Sequence, residues 1–357
     1  MSDEIAFVVP GRIDQLTGGY LFERHIVEGL RARGRSVRVV ELSGRNPTKD
    51  GAMIAALPDA TKTVVDGLAL ASLREVVAAQ AHRVRFIAFV HGPLAQETDL
   101  PVAMAQRAAR YEAELLRRTC GVLCPSHRTA AAVEAYGISP ERIAVVRPGT
   151  ARPARPPRAR RGPVRSLLCV ANLLPRKGHV LLVEALAGIR DLDWRLTCIG
   201  SLTRDPPTTR AVRHKISATG LDRRITLAGE WPQQKVAQAY QEADAFVLPS
   251  FHEGYGMVYA EAMVHGLPVI ATTAGAIPET VPHQAGLLVP PGNPLALARA
   301  LRRVIAQPAL AARLAAGSRA AGALLPNWRQ ATQAWETAFD RLAGLPRCPE
   351  LAPAGSQ

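Results

Sequence analysis

"VLPSFHEGYGMVYAEAMVHGLPVIAT", Val247 to Thr272, decides the fold. It opens on an apolar run, breaks at Gly254 and Gly256, resumes as "MVYAEAMV", stops at Gly266 and Pro268, and ends on a second apolar run. Short apolar runs bounded by turn residues read as buried strands, and the eight-residue block between them reads as a helix. The stretch is therefore one strand–turn–helix–strand step. Two carboxylates, Glu253 and Glu261, stand in it with seven residues between them. In one continuous helix that step would separate them by about 12 Å along the axis and about 80° around it. The glycines forbid such a helix, so Glu253 falls in the turn and Glu261 one turn into the helix.

The same alternation runs outward in both directions. Upstream of it, "SLLCVANLL" (166–174), "WRLTCIGS" (194–201) and "RITLAGE" (224–230) read as strands, and downstream "AGLLVPP" (285–291) does. Nearer the start, strand character appears in "EIAFVV" (4–9), "SVRVVEL" (36–42), "TVVDGL" (63–68), "VRFIAFVHG" (84–92), "GVLCPS" (121–126) and "IAVVRPG" (143–149). Phe22, Ile26, Val27 and Leu30 mark one face of a helix over 21–33, and "RTAAAVEAYG" is a further helix. Apolar strands alternating with helices predict an α/β architecture of parallel sheets covered on both faces.

Between the two series lies "ARPARPPRARRGPVR", 151–165, rich in proline and arginine and without an acid. It can neither continue a helix nor enter a sheet interior, so it reads as a linker. The expected organisation is a doubly wound domain over 1–150, the linker 151–165, and a second doubly wound domain over 166–326. A helix over 327–345, anchored by Trp328, Trp335, Phe339 and Leu342, should pack back on the first domain, and a disordered tail is expected over 346–357. Ligands of open α/β sheets bind beyond the carboxyl ends of the strands, which places the expected site in a cleft between the two domains.

Composition narrows the partners. The chain has 357 residues, a formal net charge of +14 and 5 per cent aromatics. The charge asks for an anion, but basic residues do not alternate with aromatics that could stack bases, which argues against nucleic acid. A phosphorylated substrate, or peripheral contact of the basic linker with an anionic membrane surface, fits the sign as well. No apolar run is long enough for a span, and the opening residues lack a leader pattern, so a cytoplasmic location is expected, if anything peripheral to the inner face of the membrane. The five cysteines, Cys120, Cys124, Cys169, Cys198 and Cys348, read as free thiols. "DLD" at Asp191–Asp193 has the form of a metal-binding acid pair but sits in a turn, and no metal site is expected. Neither G-x-G-x-x-G after the first strand nor G-x-x-x-x-G-K-[ST] occurs.

Four candidate positions lie at predicted strand ends. Gly18 and Gly19 open the first helix, either as an ordinary turn or as an anion site of bare N–H groups. His91 ends the strand of "FVHGP", as a structural histidine or a functional one. Arg176 and Lys177 follow the strand "SLLCV", in a solvated turn or in reach of a phosphate. The fourth is the Glu253–Glu261 stretch.

Here "PSFHEGYGMVYAEAMVHGLPVIAT", followed by "AGAIPETV", resembles the donor-binding segment of family 4 glycosyltransferases, retaining enzymes of the GT-B fold. The resemblance implies that Glu253 lies against the sugar of a nucleotide-diphosphate sugar and that Glu261 binds the ribose hydroxyls. It implies that the N–H groups of Gly254, Tyr255 and Gly256 meet the sugar and diphosphate, that Gly18 and Gly19 lie near the phosphates, that His91 is close to the reacting centre, and that Lys177 clamps the diphosphate. The family usually has arginine where this chain has Asn172, so one cation on the leaving group is missing; Arg176 is the residue placed to substitute. The implied reaction is metal-independent transfer with retention, needing no cofactor beyond the donor, to an unidentified acceptor. A nucleotide-sugar epimerase and a silent sugar-nucleotide-binding protein are the competing expectations; a phosphorylase is disfavoured by the short chain.

Overall fold

The computed structural model describes residues 4–96, 101–154 and 162–346. The chain divides into two compact units: residues up to Gly149 together with those from Trp328 onward, and Thr150–Asn327.

In the first unit six parallel strands, β1 (Ile5–Val9), β2 (Val37–Glu41), β3 (Lys62–Asp66), β4 (Arg85–Phe89), β5 (Gly121–Cys124) and β6 (Ile143–Val145), line up in the order β2-β1-β3-β4-β5-β6. β1 and β5 are buried at every residue, as strands covered on both faces must be. The order reverses between β1 and β3, which makes their carboxyl ends the switch point where open α/β sheets take ligands. Gly18–Ala32 is the helix after β1, packed through Phe22, Ile26, Val27 and Leu30.

The last helix, Trp328–Gly344, belongs to this unit. Ala331, Trp335, Phe339 and Leu342 recur at helical spacing and are buried. Trp335 stacks on Phe339 at 5.1 Å and on Phe7 of β1 at 5.9 Å. Outside that apolar seam, Arg35 makes a two-pronged ion pair with Asp340, both contacts at 3.0 Å. Trp328 is half-buried and stacks on His25 at 4.0 Å.

The second unit repeats the scheme with β7 (Ser166–Val170), β8 (Arg195–Ile199), β9 (Ile225–Leu227), β10 (Ala245–Leu248), β11 (Val269–Thr272) and β12 (Gly286–Val289), in the order β12-β11-β10-β7-β8-β9. Numbered within the unit this is 6-5-4-1-2-3, the doubly wound order of mononucleotide-binding halves, with its switch point between β7 and β10. Trp194, Tyr240, Phe246 and Tyr259 fill its core. All twelve strands expected from the sequence are present, each shorter than its expected run.

Of the proline and arginine segment expected as a linker, 155–161 lies outside the described residues. Arg152 donates to the carbonyls of Gly322, Ala323 and Leu325, and Arg165 pairs with Asp193 at 3.2 Å. The tail expectation over 346–357 falls outside the described residues from 347 onward, as does Cys348. The remaining four cysteines are buried and unbridged. Among the described residues no helix is long and apolar enough to cross a membrane.

Candidate functional site

Lys177 and Glu253 come from the two loops that leave the switch point of the second sheet, after β7 and β10. Their approach is built into the backbone. Gly178, the residue after Lys177, has φ +70° and lies so close to Pro249 that a Cβ there would stand 2.3 Å from the Pro249 carbonyl oxygen. Glycine alone permits both the left-handed turn and the contact. The Phe251 N–H donates to the Arg176 carbonyl at 2.7 Å, tying the loops a second time.

With the loops so joined, the Lys177 Nζ donates to Glu253 Oε1 at 2.6 Å, and the Ser250 hydroxyl donates to the same oxygen at 2.7 Å. Arg176 Nη1 stands 3.6 Å from Glu253 Oε2. The Lys177 and Glu253 side chains are 13 and 8 per cent exposed, so this is a buried ion pair. Burial pushes the Glu253 carboxyl up, but Lys177, Arg176 and Ser250 together outweigh it and hold it below its ordinary value. Burial pulls the Lys177 ammonium down, and Glu253 opposes it. Two cations against one carboxylate leave an excess positive charge at the strand ends, suited to a further anion.

Just beyond, Gly256 takes φ +84° and starts the helix Met257–Val264 with no side chain capping it. The positive end of its dipole adds to the same field. Tyr255 is buried, and its carbonyl accepts from Thr280 Oγ1 at 2.6 Å; Gly254 sits between it and Glu253. Gly275 has φ +54°, and a Cβ there would lie 2.3 Å from the Glu253 carbonyl oxygen, while the Ala276 N–H donates to that oxygen at 2.8 Å. The Glu253 turn is thus gripped from the far side by the segment after β11.

One turn into the helix, Glu261 accepts from the Tyr240 hydroxyl at 3.0 Å. Burial pushes its carboxyl up to about 7, against the stabilising Tyr240 bond. Asn172 follows β7 and accepts the Ser201 N–H on Oδ1 at 2.8 Å, so it pins the loop after β8. The Asp191 carboxylate is held by Arg302 at 2.6 and 2.7 Å while Asp193 faces Arg165; each acid has its own cation.

The candidate positions of the first unit form a separate cluster at its own switch point. Gly19 lies against His91, where a Cβ would stand 3.3 Å from the ring, and Gly18 faces open space; the helix they open has no side-chain cap. His91 Nε2 stands 3.3 Å from Glu23 Oε1 and 3.4 Å from Asp66 Oδ2. Glu23 and Asp66, both buried, were not singled out from the sequence. Glu23 carried a signal: Ile26, Val27 and Leu30 follow it at three, four and seven residues, so it lies on the apolar stripe. Tyr240, Ser250 and Gly275 were missed too, and no local pattern marks them. Among the described residues two groups offer three metal-ligating side chains within 4.8 Å of one another: Glu23, Asp66 and His91, and the buried Cys169, His179 and Cys198.

Comparison with known proteins bears on both units. Residues 64–151 match the family model described as Glycosyltransferase Family 4, and residues 164–307 match that described as Glycosyl transferases group 1. The chain belongs to the family 4 glycosyltransferases.

Within that family it is 35 per cent identical over 204 residues to a D-inositol 3-phosphate glycosyltransferase of Streptomyces bingchenggensis, covering 52 per cent of this chain and 45 per cent of that protein. It is 26 per cent identical over 279 residues to an MMP alpha-(1->4)-mannosyltransferase of Mycolicibacterium hassiacum, covering 72 per cent of this chain and 66 per cent of that one. The chain spans about half the length of most of the curated relatives it matches. Among solved structures it resembles a sucrose-phosphate synthase from Thermosynechococcus elongatus, with TM-score 0.80, 22 per cent identity, and 95 and 99 per cent of the two chains covered. Anabaena HepE in complex with UDP and glucose is similar at TM-score 0.74 and 19 per cent identity, over 94 and 99 per cent. These likenesses establish the GT-B fold of this member of the family.

Proposed function

We propose that this protein transfers a sugar from a nucleotide-diphosphate sugar to an acceptor hydroxyl with retention of configuration and without a metal. The observation that carries the reading is the buried Lys177–Glu253 pair, flanked by Arg176 and the uncapped helix at Gly256, at the switch point of a sheet with mononucleotide-binding order. Lys177 and Arg176 stabilise the departing diphosphate, and fixed cations in a buried site need no reorganisation as that charge develops. Glu253 meets the sugar, Glu261 takes the ribose hydroxyls, and the N–H groups at Gly254, Tyr255 and Gly256 serve the sugar and phosphates. The bond from the anomeric carbon to the diphosphate breaks, the bond to the acceptor oxygen forms on the same face, and the acceptor proton passes to the leaving phosphate. Asn172, occupied with Ser201, adds no cation, so Arg176 supplies the second positive charge.

For the acceptor we propose a phosphorylated polyol. The names of relatives at 32 to 35 per cent identity and the net charge of +14 both support it. The test is a thermal-shift screen against UDP-, GDP- and ADP-sugars with Lys177→Ala and Glu261→Ala alongside, then product analysis with inositol 3-phosphate. One donor should raise the melting temperature of the wild type and of neither variant, and the product anomer should match the donor's, with EDTA without effect. A protein that melts cooperatively and shifts with no donor overturns the reading in favour of a silent relative; interconversion of the donor sugar without acceptor would make it an epimerase.

A further inference from the structure

The cluster on the first unit contains more than His91 alone. Glu23 reaches it from the second turn of the helix Gly18–Ala32, and Asp66 from the last residue of β3. Glu23 is 0 per cent exposed and Asp66 4 per cent, and His91 keeps 24 per cent of its side chain exposed. Phe22 and Phe89 pack around the imidazole at 6.0 and 4.3 Å. The ligand atoms of Glu23, Asp66 and His91 all lie within 4.8 Å of one another, and two carboxylates so placed in an apolar setting do not both ionise. Burial raises both carboxyls, Glu23 to about 8, and the charge of Glu23 raises Asp66 further. Glu23 Oε2 meets no donor from any other described residue, which is where a shared proton is needed. Asp66 Oδ1 is taken up by the N–H groups of Leu68 and Ala69 at 2.6 and 3.2 Å.

That accounting leaves lone pairs, on Glu23 Oε1 and Asp66 Oδ2, facing His91 Nε2. Among the described residues the side chain placed to donate to both carboxyls is the imidazole, through Nε2. Burial holds the His91 imidazolium down, with Asp66 opposing, so the ring is the neutral form that must choose a tautomer.

We infer that Glu23 and Asp66 are positioning residues that share one proton, hold His91 as the Nε2–H tautomer, and so present its Nδ1 lone pair as an acceptor to a substrate hydroxyl. The tautomer follows from the cluster itself; only the naming of the hydroxyl as a sugar's rests on the function proposed above. Glu23 thereby gains a reason to lie on the apolar stripe of its helix, where leucine would otherwise serve.

The experiment reads the tautomer directly. The full chain, labelled with nitrogen-15 at histidine, is examined at pH 7 without any sugar by two-bond proton–nitrogen correlation, with His91 assigned by its disappearance in His91→Gln. The Nε2–H pattern is expected in the wild type, with that preference lost in the Glu23→Gln/Asp66→Asn double variant. An Nδ1–H pattern in the wild type overturns the inference, and so does a preference that survives removal of both carboxyls. The measurement needs no fold perturbation for its first arm and no donor for either. A protein that binds no nucleotide sugar therefore leaves its result intact, and the two readings fail separately.

Discussion

The ammonium of Lys177 lies 2.6 Å from the Glu253 carboxylate although the two residues are 76 apart in sequence, and neither side chain is more than 13 per cent exposed. A buried pair of this kind costs desolvation on both sides and gains it back only through close geometry and supporting hydrogen bonds, which Ser250 and Arg176 provide. Removing one partner is therefore far from neutral. Lys177→Ala should lower unfolding free energy by about 3 kcal/mol, the low end for a broken buried pair because Arg176 remains near. If the ammonium also holds a diphosphate, turnover should fall by at least about tenfold, as the loss of one charge-assisted contact implies. Denaturant melts and steady-state kinetics on the same preparation separate the two effects. Wild-type values for both would return Lys177 to an ordinary solvated turn.

Glu261 predicts a pH dependence of its own. Its carboxyl is raised to about 7 in the free protein, and a carboxylate accepts ribose hydroxyls better than a carboxylic acid does. If Glu261 takes the ribose as proposed, binding favours the ionised form, so donor affinity should be flat above pH 8 and weaken as pH falls through 7, approaching about tenfold per unit. Calorimetric titration between pH 5.5 and 8.5 measures this. Glu261→Gln should bind more weakly at pH 8 and lose the slope; a slope that persists in the variant places the titrating group elsewhere.

Tyr240 tunes that same group. Its hydroxyl stabilises the ionised Glu261, so Tyr240→Phe should move the midpoint of the donor-affinity profile upward and leave affinity at high pH little changed. The fold should lose about 1 kcal/mol, the usual worth of one hydrogen bond. A downward shift of the midpoint would contradict the geometry.

These residues show what the sequence could convey. The strands were legible because they are short apolar runs, some closed by glycine or proline as Val247–Leu248 is by Pro249, and parallel strands buried on both faces leave that signature. The placement of Glu253 in a turn, Glu261 on a helix and Lys177 after a strand was legible from apolar runs and glycines. The pairing of Lys177 with Glu253 was not, because it depends on Gly178 lying against Pro249, a contact between loops that no local period encodes. Tyr240 was hidden for a related reason: it sits on a helix of amphipathic sequence and meets Glu261 only through the tertiary fold. Glu23 was the exception. Its place on the stripe of Ile26, Val27 and Leu30 was there to be read, and the usual assumption that a charged residue on a helix faces water obscured it.

The segment after β11 supplies the last prediction. Gly275 combines a left-handed backbone, φ +54°, with an approach that would set a Cβ 2.3 Å from the Glu253 carbonyl oxygen and 2.9 Å from its nitrogen. Backbone atoms of Glu253 cannot yield as a flexible side chain would. Gly275→Ala must therefore push the Glu253 turn away, break the Ala276 N–H bond to the Glu253 carbonyl, and disturb the Lys177 pair. Stability should fall by about 1–3 kcal/mol from the strained conformation, and donor binding should weaken with it. Gly34 is the control: it too has positive φ, +84°, but nothing lies within 4 Å of its Cβ position. Gly34→Ala should show the backbone strain alone and leave donor affinity unchanged. Equal losses of donor affinity in the two variants would mean that the grip on Glu253 has no part in shaping the site.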